Sequence, residues 1–163
     1  MAFPFLQYCI TTWGGTSNSL LLPLYRKQKI IVKTILKQSY TSHSTPHFHS
    51  LQILKLEDIY KLQIGKLMHK IIKNKNTTAE SLTPLTDVHT HNTRSRQKEN
   101  YYLPAVRTNL GKTSFSYNGP KIWNSFPTKV RNSSDFCFNK SLKHYLLQQY
   151  KHYKRHCHVK LVR

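Results

Sequence analysis

Three groups of residues in this sequence have types and spacings that could do chemistry. Gly111-Lys112-Thr113 matches the end of a phosphate-cradling loop, where glycine amides and a lysine hold nucleotide phosphates. His152, His156, Cys157 and His158 are clustered, with Cys137 further back. The i, i+4 spacing of His152 and His156 lets two imidazoles share one helical face and a zinc ion. Glu57 and Asp58, the adjacent carboxylates of the chain, are the raw material of a magnesium or acid–base site.

Each group fails a simple test. The G-x-x-x-x-G-K-T pattern would put its first glycine on Val106, no buried strand leads into the motif, and no acid follows that could hold magnesium. A closed zinc site takes four arranged ligands, whereas Cys9, Cys137 and Cys157 are far apart and contain no C-x-x-C pair. The His43, His47 and His49 cluster is weaker still, and both histidine groups read as hydrogen-bonding, weakly cationic surface. Phosphoryl transfer needs converging carboxylates, and 6 Asp and Glu spread over the chain do not supply them. No catalytic residue, metal or cofactor is therefore expected.

Charge is the stronger signal. The 163 residues carry 26 Lys and Arg against 6 Asp and Glu, a formal net charge of +20. Such a field attracts polyanions, so nucleic acid is the leading partner and an anionic membrane surface the second. No apolar stretch reaches the roughly eighteen residues of a membrane span. The uncharged N-terminus lacks a basic leader and is broken by Pro4, Trp13, Gly14 and Gly15, so it is not read as a signal peptide. An odd number of separated cysteines favours a reducing compartment, cytoplasm or nucleus.

The elements that would position these charges are mainly α-helical: amphipathic helices, an extended or irregular middle, and room for one short β element. A short helix fits 5–13 and is stopped by turn residues at 14–19. A second fits 21–38, with Leu21, Leu24, Ile31 and Ile35 on an apolar face and Arg26, Lys29, Lys33 and Lys37 on the other. That basic row is either a solvated face or a phosphate-binding stripe. Residues 39–50 read as a loop. A third helix fits 55–74, with Leu56, Tyr60, Ile64, Leu67 and Ile71 inward and Lys66, Lys70 and Lys73 off that stripe. Residues 76–110 are polar and broken by Pro84 and Pro104, with a short strand possible in pattern at 101–108. A last helix begins after Ser133 or Ser134, buries Phe138, Leu142, Tyr145, Leu146 and Tyr153, and gives way to a basic tail at 151–163.

Between Arg94 and Arg131, cations and aromatics interleave: Arg94, Arg96, Arg107, Lys112, Lys121 and Lys129 with Tyr101, Tyr102, Phe115, Tyr117 and Trp123. Aromatics can stack on unpaired bases while cations follow the backbone. Alternatively Tyr117, Trp123 and Phe126 form a small core. For Trp123 and Phe126 the core is favoured, because large aromatics beside proline turns are usually packing anchors.

The stretch RTNLGKTSFSYNGPKIWNSFP, from Arg107 to Pro127, resembles a hallmark near the end of LINE-type (non-LTR) retrotransposon polyproteins of the Jockey-like group. The matching positions are Arg107, Ser114, Tyr117, Gly119, Pro120, Trp123, Asn124, Phe126 and Pro127, with Phe126 where leucine is commoner. Other landmarks follow the family's order. LQYCITTWGG resembles its post-palm Tyr…Trp-Gly stretch; HSTPHF resembles His-Thr-x-Pro-Leu-Phe, with Ser44 and His47 as departures. LQILKLEDIYKLQIGKLMHK resembles its leucine-rich helix, HTHNTR its His-x-Tyr-Asn-Thr-Arg with His91 for tyrosine, and FNKSLKHYLLQQY its closing helix. The resemblance covers about residues 5–150.

In that family the endonuclease and the palm with its paired aspartates precede the matching region. The resemblance therefore implies a C-terminal reverse-transcriptase segment without catalysis of its own, which contacts template RNA and primer duplex beside the rest of the polyprotein. On this reading 1–19 ends a thumb-like segment and 20–80 is helical. Residues 81–110 link to a Gly-Pro/Trp-Asn turn and terminal helix at 111–150, followed by the tail. Gly119, Pro120, Trp123, Asn124 and Pro127 would be structural. Arg26, Lys29, Lys33, Lys37, Lys66, Lys70, Arg94, Arg96, Arg107, Lys112, Tyr117 and Lys121 would contact nucleic acid, a choice made on charge and stacking. Two alternatives stay open: a packing module that braces a polymerase, and a free-standing zinc-binding basic protein.

Overall fold

The computed structural model describes residues 3–74, 82–88, 91, 93 and 98–157, with side chains for all of these except residue 3 and residues 152–157. The fold is mainly helical. Its helices are α1 (Phe3–Gln7), α2 (Ile10–Trp13), α3 (Asn18–Ile35), α4 (Thr45–Ser50) and α5 (Leu56–Lys73), followed by α6 (Leu85–Val88). A 3-10 turn at Gly111–Thr113 then leads into α7 (Phe115–Ser125), α8 (Thr128–Arg131) and α9 (Asp135–Cys157). Among the described residues no helix is long and apolar enough to cross a membrane.

Helix α5 is the hub, packed against α1, α2, α7 and α9. The expected inward stripe holds for Leu56, Tyr60 and Ile64, but Leu67 is exposed, and Ile59, Leu62 and Met68 are buried as well. Neighbours on several sides explain this, because a helix enclosed by others buries apolar residues around much of its circumference. Gly65 makes the crossing possible: a Cβ there would stand 2.6 Å from a Leu142 methyl and 2.9 Å from the Phe126 ring. The core continues along α9 through Phe138, Leu142, Leu146, Leu147 and Tyr150.

Helix α3 turns a different face inward from the one expected. Gln28 and Val32 are buried, Leu21 and Leu24 pack partly against the core, and Ile31 and Ile35 are exposed. At about 100° per residue, Gln28 and Val32 lie in line with Leu21, whereas Ile31 falls nearly a quarter turn away. A polar residue can occupy the buried line because both ends of its carboxamide are used. Gln28 Nε2 donates to the Leu54 carbonyl at 2.9 Å, and Leu56 N–H donates to Gln28 Oε1 at 3.0 Å. Lys37 lies beyond the helix with φ of 50°, so it does not extend the basic row.

Four other segments depart from expectation. The N-terminal helix is two pieces, divided at Cys9, whose φ is 48°. The loop at 39–50 ends in α4, where Pro46 sits in the first turn, a place that needs no amide, and Phe48 is fully buried. Among the described residues the strand pattern at 101–108 yields a single antiparallel bridge, Pro84 to Tyr101. It is closed by Leu85 N–H on the Asn100 carbonyl and Tyr102 N–H on the Thr83 carbonyl, and the chain turns into α6 at Leu85. The tail expected from 151 is helical as far as Cys157, with no glycine or proline to interrupt it.

The Gly-Pro/Trp-Asn stretch, read as a turn, is also helical. Pro120 removes one helical amide, but Gly119 before it carries no Cβ to clash with the proline ring. The same missing Cβ lets the Met68 sulfur and the Phe115 ring approach within 3.0 and 3.1 Å of its position. Gly119 and Pro120 thus seat α7 on α5.

Candidate nucleic-acid interface

The Gly-Lys-Thr turn is not a phosphate cradle. Its amides are consumed locally: Gly111 N–H donates to Thr108 Oγ1, Lys112 N–H to the Thr108 carbonyl and Thr113 N–H to the Leu110 carbonyl. Lys112 itself projects into solvent. Arg107 is likewise exposed, whereas Arg94 and Arg96 lie outside the described residues.

The interleaved aromatics divide by burial. Trp123 is 4% exposed, and its ring lies 5.9 Å from Phe138 and 6.5 Å from Phe126. Phe115 and Tyr101 pack against the same core. Tyr117 is half-buried with the Lys121 ammonium 5.5 Å from its ring centre, and Tyr102 is exposed. The sequence mixture is therefore not a continuous stacking platform.

Asn124, next to Trp123, accepts from Tyr101 N–H at 2.9 Å and donates to the Tyr101 carbonyl at 2.8 Å. Its carboxamide takes the place of a neighbouring strand. Arg131, which sequence reasoning did not single out, completes the grip by donating to the carbonyls of Lys98 at 2.8 Å and Glu99 at 3.3 Å. It also donates to Asn100 Oδ1 at 3.2 Å, and burial pulls its guanidinium down from its usual value. Pro127 is exposed and precedes α8, with φ of −60° suited to that entry.

The cations of α3 face tyrosines. The Lys29 ammonium lies 4.1 Å from the Tyr25 ring centre, and Lys33 lies 5.4 Å from that of Tyr40 while donating to the Tyr40 carbonyl. Arg26 is exposed. Lys55 is half-buried over the Tyr150 ring, and burial lowers its affinity for a proton.

The lysines of α5 are brought together instead. Lys66, Lys70 and Lys73 line a cleft of about 310 Å³ between the second half of α5 and the start of α9, with His69, Asp135 and Asn139. His69 is 8% exposed and stacks on Phe138 with ring centres 4.0 Å apart. Its Nε2 is buried without a hydrogen bond, 3.6 Å from Asp135 Oδ1, and Lys73 Nζ is 3.5 Å from that same oxygen. Burial lowers the imidazole's proton affinity; Asp135 and a hydrogen bond at Ser133 oppose that effect. A lone histidine in a lysine-rich helix gave no signal beyond its place one residue before Lys70.

Of the adjacent carboxylates, Asp58 has a structural role. Asp58 is buried, accepts from Lys61 Nζ at 2.9 Å, and accepts from the Tyr150 hydroxyl. That hydroxyl in turn accepts from Lys55 N–H at 3.0 Å. Burial and the neighbouring carboxylate push the Tyr150 phenol far above its usual value, so it stays protonated and donates. Among the described residues no group of three or more His, Cys, Asp or Glu could hold a metal, and the side chains of His152, His156, Cys157 and His158 lie outside them. No protein-family model, curated protein or solved structure matches this chain.

Proposed function

We propose that this chain is a C-terminal, post-palm segment of a LINE-type reverse transcriptase that holds RNA and DNA without reading sequence. It binds and does not catalyse; the polymerase chemistry belongs to the preceding palm of such a protein. The observation that carries the reading is an excess of cations with little to neutralise it. The net charge is +20, and two of the 6 carboxylates are already committed, Asp58 to Tyr150 and Lys61 and Asp135 to Lys73. Cations on several elements suit contact with phosphates. The packing of Gly119, Pro120, Trp123 and Asn124 accounts for the motif that carries the family resemblance.

Binding of a fluorescent single-stranded RNA and a primer–template duplex, followed by anisotropy over a salt series, tests this. With six to ten phosphates engaged, affinity falls by about 10³–10⁵ between 50 and 200 mM salt. A shallow slope would exclude it. A packing module is the second reading, favoured by large apolar side chains near the N-terminus: Phe5 is 81% exposed, Tyr8 76% and Leu20 71%. It predicts weak, salt-insensitive RNA binding and tight association with a polymerase palm supplied in trans.

A further inference from the structure

The lysine cleft contains a buried polar atom that makes no hydrogen bond, His69 Nε2. Arg131 Nε is the other among the described residues, but its guanidinium is already held through both of its terminal nitrogens. A buried nitrogen left without a hydrogen bond is costly, and each such atom calls for an explanation. Three cations stand around His69 Nε2. Lys66, Lys70 and Lys73 recur at i, i+4 and i+7 on α5, so they share a face, and none has a carboxylate on its own helix within reach of that face. The nearby anion comes from α9, where Asp135 meets both Lys73 and His69. Asp135 is 71% exposed, so its side chain is free to turn towards solvent. The cleft, about 310 Å³, has roughly ten times the volume share of one liquid water molecule and accommodates a tetrahedral oxyanion.

We propose that this cleft is a phosphate-binding pocket, in which Lys66, Lys70 and Lys73 neutralise the anion, His69 Nε2 donates a hydrogen bond to it, and the Asp135 carboxylate is an internal competitor for the same groups. The reading of the chain as a nucleic-acid holder supplies the source, a backbone phosphodiester; the chemistry alone fits free phosphate equally. For His69 to donate through Nε2 it must carry a proton there. A bound phosphate favours that form, as Asp135 does, against burial and the repulsion of Lys73. Phosphate in and Asp135 out is thus an exchange of one anion for another at constant local charge.

The exchange makes an unusual prediction, a gain of binding. Asp135→Asn removes the competitor and tightens oligonucleotide binding by about tenfold, the size of one charge-assisted hydrogen bond. Glu57→Gln makes the same change in net charge at the other end of α5, about 18 Å along the helix from His69, and leaves affinity unchanged. Lys70→Ala, at an exposed position, weakens binding while the fold is kept; a gain from Asp135→Asn cannot come from unfolding.

The decisive experiment follows the His69 imidazole resonance of the full chain by NMR, assigned by its loss in His69→Gln. The chain is titrated with inorganic phosphate and, separately, with a short single-stranded oligoribonucleotide. Movement of the resonance with the oligonucleotide, and its reduction by Lys70→Ala, supports the pocket and its phosphodiester ligand. Movement with inorganic phosphate in a chain that does not bind RNA supports the pocket and overturns the nucleic-acid reading. RNA binding with a still His69 and equal affinities for Asp135→Asn and Glu57→Gln overturns the pocket and leaves that reading intact. No response to either probe overturns both.

Discussion

Helices α3 and α5 each carry a row of cations beside one buried polar side chain, and the two rows have different surroundings. On α3, Lys29 and Lys33 cover tyrosine rings, and buried Gln28 uses both ends of its carboxamide on the backbone at Leu54 and Leu56. On α5, Lys66, Lys70 and Lys73 surround a cleft in which buried His69 keeps a ring nitrogen unpaired. In the first arrangement the buried carboxamide is paired at both ends and two of the cations lie over rings. The second is open to an anion. Spacing identifies which residues share a face, but what lies across that face decides whether the charges are structural or available.

Charge reversal is the largest way to break the comparison. Changing Lys66, Lys70 and Lys73 together to glutamate lowers the salt slope of oligonucleotide binding by about three units, one per phosphate contact. The same change at Arg26, Lys29 and Lys33 lowers it by about one unit, mainly through Arg26, the exposed member of that row. Equal losses in anisotropy titrations, with helicity unchanged by circular dichroism, would erase the distinction between the two helices.

The polar anchors offer a smaller test. Tyr150→Phe removes the donor to buried Asp58 and the acceptor for Lys55 N–H, at a cost of about 1–3 kcal/mol. Gln28→Leu keeps the volume but leaves the Leu54 carbonyl and Leu56 N–H unpaired, at a similar cost of about 1–3 kcal/mol. Urea denaturation measures both. A neutral Gln28→Leu would mean that the α3 clamp is dispensable, and only the α5 side would then depend on buried polar groups.

The smallest effect is in pH. Burial holds the His69 imidazole below its ordinary value of 6.5, so the unfolded chain takes up the proton more readily than the folded one. The associated stability is present above that ordinary value and is lost as pH falls through the lower, folded-state value. His69→Gln therefore flattens the loss of stability as pH falls below the ordinary imidazole value of 6.5. Gln28, the corresponding buried group of α3, does not titrate, and Gln28→Leu leaves the slope as it was. A slope unchanged by His69→Gln would remove the titrating character assigned to the α5 cleft.

Periodicity made the long helices legible: α3 and α5 begin and end near where their apolar spacing and turn residues put them, and α9 begins there but runs on through the expected tail to Cys157. It failed at α3's inner face because Gln28 is buried by hydrogen bonds to a segment far along the chain, which a hydropathy pattern does not register. It failed at α7 because Gly119 and Pro120 read as a turn in isolation, and their packing against Met68 and Phe115 is a tertiary matter. Composition pointed to a basic surface, but not to the division between Lys29, placed over Tyr25, and Lys70, placed beside a cleft. That division depends on α9 crossing α5 at Gly65, a contact between residues distant in sequence. Asn124 was recognised through its motif; its pairing with Tyr101 and the parallel role of Arg131 required the fold.

The Tyr150–Asp58 link has a consequence for how the chain is made. Asp58 and the apolar residues around it leave the ribosome long before Tyr150, Leu146 and Leu142, the partners that cover them. At ordinary synthesis rates the interval is on the order of ten seconds. During that interval the central helix presents greasy surface on the sides that α7 and α9 will later enclose. A nascent chain paused between Lys73 and Asp135 should be a good client for a ribosome-bound chaperone, and should lose that property once Tyr150 has emerged.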